Sequence, residues 1–70
     1  MENLKVIRTN FKDIDSINIE VRENNILIAQ GSYNIRTNWA HLEVEDEFTE
    51  QYDDAALVDK IENRELQIMN

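Results

Sequence analysis

The residues with the most chemistry to offer are carboxylates. The run Glu43-Val44-Glu45-Asp46-Glu47-Phe48-Thr49-Glu50-Gln51-Tyr52-Asp53-Asp54 holds seven acids in twelve positions. On an extended strand Glu43, Glu45 and Glu47 would repeat at roughly 7 Å along one side. On a helix Glu50, Asp53 and Asp54 would gather within about 6 Å. Three uses of such a row can be separated. A calcium loop converges several oxygens on a sharp turn, usually at a glycine. Asp13-Ile14-Asp15 starts like such a loop but no glycine follows, and Glu45-Asp46-Glu47 has no ligand spacing, so no metal is expected. Acid–base catalysis needs two carboxyls set in a pocket, and abundance alone does not supply that geometry. The third use is imitation of a polyanion. Duplex DNA presents one charge per roughly 1.7 Å of axis, and its binders answer with Lys/Arg grooves. A row of carboxylates can occupy such a groove, arriving quickly through long-range steering. Tyr52, Phe48 and Trp39 would add apolar anchors at the rim. Set against this is a plain solvated surface whose acids only keep the chain apart from its copies.

Other chemistry is thin. The chain has no cysteine, which excludes disulfides, thiolate metal sites and thiol catalysis. The one histidine, His41, would need Ser16 or Ser32 beside it in a pocket to form a nucleophilic pair, and no nucleophile motif surrounds either serine. A single glycine, Gly31, rules out glycine-rich phosphate loops and dinucleotide fingerprints. No cofactor is expected, and the chain is expected to be non-catalytic.

The charge is unevenly placed. The 70-residue chain has a net charge of −8. Residues 1–40 balance five bases against five acids, whereas residues 41–70 carry ten acids and two bases. Such a balance disfavours direct binding of nucleic acid and points to a basic partner. Hydrophobic residues make up 41% of the chain, too many for a disordered acidic tail. No apolar run approaches the roughly 18 residues of a membrane span, and the N-terminus has no signal-peptide core, so the expected compartment is the cytoplasm, with no membrane partner. Nine Asn and nine Ile agree with an AT-rich coding genome.

The elements that must position these groups read mostly as strands in one domain, residues 1–70. Leu4, Val6 and Arg8 alternate with Lys5, Ile7 and Thr9. Ile17, Ile19 and Val21 alternate with Asn18, Glu20 and Arg22. Asn24-Asn25 suits a tight hairpin turn, because Asn tolerates the left-handed conformation. Ile26 to Ile35 makes another run, with Ile26, Ile28 and Gln30 on one side and Leu27, Ala29, Gly31, Tyr33 and Ile35 on the other if no bulge intervenes, and Gly31 inside it suggests a bulge or close packing. Trp39 to Val44 alternates again. Around Thr49 the pattern turns helical, with Tyr52, Ala55, Ala56, Val58 and Ile61 on one face and Asn63 as a stop. Leu66 to Met69 suits a last short strand or more helix. The expected fold is α+β: a small antiparallel sheet of four or five strands with one acidic helix packed on a face.

The segment Leu42 to Val58 resembles the central strand–loop–helix of the Gcn5-related N-acetyltransferases, in which an apolar strand ends in Val and a glycine-rich loop opens a helix. The resemblance covers residues 17–68. It implies an acetyl-CoA pyrophosphate bound by loop N–H groups. Here that loop is Thr49-Glu50-Gln51-Tyr52-Asp53-Asp54, one residue short and without glycine, with three carboxylates where a phosphate would sit. The kinship therefore implies a truncated relative without activity. By size and charge the chain is also similar to phage-encoded DNA-mimic inhibitors, including anti-CRISPR and anti-restriction proteins. The function expected is inhibition of a basic nucleic-acid-binding protein or nuclease complex, inside the bacterial host, through Glu43, Glu45, Glu47, Glu50, Tyr52, Asp53 and Asp54. The alternatives are an antitoxin-like or structural interaction module, including a homodimer that hides a sheet edge, and the inactive acetyltransferase-like domain.

Overall fold

A computed structural model describes residues 3–69. Five strands, β1 (Leu4–Phe11), β2 (Ser16–Glu23), β3 (Ile26–Asn34), β4 (Trp39–Val44) and β5 (Ile68–Met69), form one sheet in the order β4-β3-β2-β1-β5. A short 3-10 turn, Asp46–Phe48, and one helix, α1 (Asp54–Glu62), follow β4. The α+β expectation holds, with one change of direction. β5 pairs parallel to β1, through Val6↔Ile68 and Ile7↔Met69, so the sheet is mixed. After α1 the chain returns along the covered face to the far edge of the sheet, and that crossover brings the last strand in parallel.

Alternation decides the two faces. Val6, Val21, Ala29 and Val44 stand in one cross-strand row, and Ile19, Gly31 and Leu42 in the next. Their side chains join Leu57 and Ile61 of α1 in the core. Each such side chain contributes roughly 1.5–3 kcal/mol when fully buried. The opposite rows, Ile7–Glu20–Gln30–Glu43 and Asn10–Asn18–Ser32–His41, form a bare, mostly polar face.

Several local features depart from simple alternation, one of them a register slip between Arg8 and Asn10 of β1. Asn24 and Asn25 take φ of 51° and 71°, so the β2–β3 hairpin closes with two left-handed residues, as a two-residue turn of this handedness requires. Between Val21 and Arg22 the register slips on the β3 side from Ala29 to Leu27. The extra residue is Ile28, so the bulge lies there and not at Gly31, and Ile28 and Ala29 are both fully buried. Of the two readings of Gly31, close packing is the one that holds: a Cβ there would overlap the His41 carbonyl.

The helix is shorter than its sequence pattern. It starts at Asp54, because Phe48 to Gln51 are spent in turns whose N–H groups bond back to Glu45 and Phe48. Its buried residues are Leu57 and Ile61, one turn apart, with Val58 half-buried, while Ala55 and Ala56 are exposed. The stop at Asn63 agrees with the expectation. Arg64 then adopts φ 64°, and the N–H groups of Arg64 and Glu65 donate to the carbonyls of Ile61 and Lys60. This pair of bonds is a Schellman closure with Arg in the position glycine usually takes.

Candidate functional site: an acidic groove beside the fourth strand

Glu43 sits on β4, exposed on the bare face and paired across the sheet with Gln30. Glu45 follows the strand and extends its pairing by one bond, its N–H donating to the Ile28 carbonyl at 2.8 Å. Its carboxylate lies 3.5 Å from the Gln30 amide nitrogen. The strand stops there. Glu47 lies in the 3-10 turn, so the expected straight row of Glu43, Glu45 and Glu47 is broken. The expected helical cluster is also absent: Glu50 lies in a turn, Asp53 is the extended N-cap residue, and only Asp54 is helical.

A different arrangement replaces both. The turns carry residues 49–54 back past the end of β4. Between them an open groove of about 370 Å³ forms, lined by Glu43 and Val44 from the strand and by Glu50, Tyr52, Asp53 and Asp54 from the connection. Four acidic residues thus line one groove through tertiary folding, not through strand or helix periodicity. The Asp53 side chain makes no capping hydrogen bond to α1. The sequence holds no Lys or Arg from residue 37 to residue 59, so no cation is supplied from this stretch. The ion pairs Arg22–Glu20 and Arg36–Asp15 both join groups in the first forty residues. Among the described residues, no three His, Cys, Asp or Glu side chains stand close enough to hold a metal ion.

Tyr52 occupies the groove in a structural way. It is half-buried, packs against the core, and donates its hydroxyl to Glu23 Oε1 at 3.1 Å. That bond ties the acidic connection to the β2 end of the hairpin. Phe48 also packs against the core. Tyr52 therefore braces a groove whose lining is mostly polar and acidic.

The register also sets His41 opposite Ser32, a juxtaposition that sequence spacing did not reveal. Both side chains belong to the bare face. No hydrogen bond joins them among the described residues, and a nucleophile–base pair needs that contact and a third group to orient the base. Among the described residues, no helix is long and apolar enough to cross a membrane. The chain matches no known protein family, no curated protein and no solved structure.

Proposed function

We propose that this protein binds a basic, nucleic-acid-handling protein through its acidic groove and blocks access of the nucleic acid. The observation that carries this reading is that Glu43, Glu50, Asp53 and Asp54 line one open groove, with Glu45 and Glu47 on the adjoining segment. A cationic channel built for phosphates pairs with carboxylates by the same charge complementarity, and releases the same counterions from its own side. Screening at physiological salt acts over about 8 Å, so a dense local cluster matters more than the net charge of the whole chain. The groove is too open to enclose a small substrate, and an open acidic lining suits a macromolecular partner.

Each acid contributes charge, while Tyr52 holds the connection in shape. The test is charge reversal at three exposed positions, Glu50→Lys, Asp53→Lys and Asp54→Lys in one variant. Both proteins are immobilised and exposed to a low-salt bacterial lysate. The expected outcome is that the native chain retains a basic nucleic-acid-binding protein released by raised salt. The variant keeps the same far-ultraviolet circular dichroism and retains none of it. Equal retention by a folded variant would overturn the proposal.

A further inference from the structure

The end of the sheet farthest from the acidic groove has the opposite character. Of the six large hydrophobic side chains that are exposed among the described residues, four lie there: Phe11 (70% exposed), Ile14 (90%), Ile35 (53%) and Trp39 (73%). Phe11 closes β1, Ile14 lies in the β1–β2 turn, Ile35 in the β3–β4 turn, and Trp39 opens β4. Ser16 pairs with Asn34 and Asn34 with Trp39, so the register places all four at one end of the four antiparallel strands. Phe11 pairs with Ile17 of the covered face and Trp39 with Asn34 of the bare face, so the apolar surface caps the end of the sheet instead of lying on one side.

We infer that this end is the interface of a two-fold symmetric homodimer. Three observations point to a second copy as the occupant. The first is charge. Nearby ionisable groups are of mixed sign, Arg8, Lys12 and Arg36 with Asp13 and Asp15. A mixed rim can be complementary to itself under a two-fold axis, as a surface of one sign cannot. Docking by this end also keeps the two acidic grooves on opposite sides of the dyad, since Glu43 of the groove lies four residues along β4 from Trp39, roughly 13 Å at the rise of a strand. Repulsion between them is screened far beyond a Debye length.

The second observation is area. Aromatic side chains bury about 150–250 Å² each, so two aromatics and two isoleucines at these exposures present roughly 500 Å². That is near the upper limit for the largest apolar patch of a monomer. It leaves roughly 300 Å² of polar rim to reach the ~800 Å² per partner of a standard interface. The third is rigidity. The Ile35 N–H donates to the Asp15 carbonyl at 2.8 Å, and the Asn34 side chain accepts from the N–H groups of Arg36 and Thr37 at 2.9 Å each. The two turns are thereby locked together before binding, which lowers the ordering cost of association.

The inference is independent of the acidic groove, and its test reads a different property. Trp39 is the one tryptophan and stands in the patch, so its fluorescence reports the interface directly. Sedimentation equilibrium from micromolar to millimolar concentration is expected to give twice the 8.3 kDa chain mass at the upper end. Trp39 emission is expected to shift to the red on dilution over the same range. Ile14→Asp, a change at a turn residue that touches no core side chain, is expected to leave a folded monomer with red-shifted emission throughout. Phe11→Ser is expected to weaken the dimer at least tenfold. A wild-type monomer at millimolar concentration would overturn the inference, as would a dimer unaffected by both variants. Monomers that bind phosphatidylcholine or phosphatidylserine vesicles with a blue shift of Trp39 would overturn it in favour of a lipid surface.

Discussion

The carboxylate of Glu62, the last residue of α1, accepts the backbone N–H of Ala40 at 2.8 Å. Ala40 lies on β4, the edge strand, and its N–H points away from β3. The same helix end is held by Asn38, whose side-chain amide donates to the Glu62 carbonyl at 2.8 Å while its oxygen accepts the Tyr33 hydroxyl at 2.6 Å. An edge strand left open invites pairing with other chains. Here the helix lies along it, and Leu42 and Val44 are buried. The helix thus covers the edge at β4 that would otherwise be open to pairing.

Glu62→Ala should destabilise the fold by about 1.5 kcal/mol, the lower end for a hydrogen bond to a charged group, since the site is only half-buried. For a domain of this size that lowers the melting temperature by roughly 6–12 °C. Urea unfolding should show a lower midpoint with an unchanged slope. An unchanged midpoint would mean that the edge is closed by packing alone.

Gly31→Ala should be far more costly. The added Cβ meets the backbone carbonyl of His41, which cannot swing aside as a side chain can. Strands β3 and β4 would have to part, at about 3 kcal/mol or more by the scale of overpacked cores. Stability of roughly 0.05–0.15 kcal/mol per residue leaves a small domain little margin. The expected result is a protein largely unfolded at 37 °C by circular dichroism, while the neighbouring Ser32→Ala stays near wild type.

Arg64→Gly and Asn25→Gly should both raise stability. Each replaces a side chain at positive φ, 64° and 71° respectively. The left-handed conformation costs an L-residue roughly 1–2 kcal/mol, less for Asn than for Arg. Arg64→Gly should therefore gain about 1 kcal/mol and Asn25→Gly about half of that. The reverse ranking in thermal unfolding would contradict the Schellman closure described for α1.

These positions also mark where sequence reasoning reached and where it stopped. Alternation at Ile17–Val21 and the Asn24-Asn25 pair were enough for the hairpin, because period and turn chemistry are local. Ile28 could not be seen as a bulge: Ile26-Leu27-Ile28-Ala29 is apolar throughout, and only pairing with Val21 and Arg22 reveals the extra residue. The apolar spacing starts the helix earlier than Asp54, since Tyr52 has the spacing of a helix-face residue but is recruited to the core from a turn. The parallel approach of β5 depends on the path of residues 63–67, which no periodicity encodes. The concentration of acidic charge is local and legible in the sequence, but the groove that Glu43 lines with Glu50, Asp53 and Asp54 is made by the turns between them.

The most direct measurement of the central claim is competition. The protein, immobilised, is loaded with the basic protein it retains, and duplex DNA is titrated in at constant salt. If the acidic groove occupies the channel that DNA would use, DNA and this protein are mutually exclusive. The retained partner then leaves in proportion to added DNA, and the Glu50→Lys, Asp53→Lys, Asp54→Lys variant never holds it. A stable ternary complex with DNA, or retention of no DNA-releasable protein by the native chain, would contradict the account.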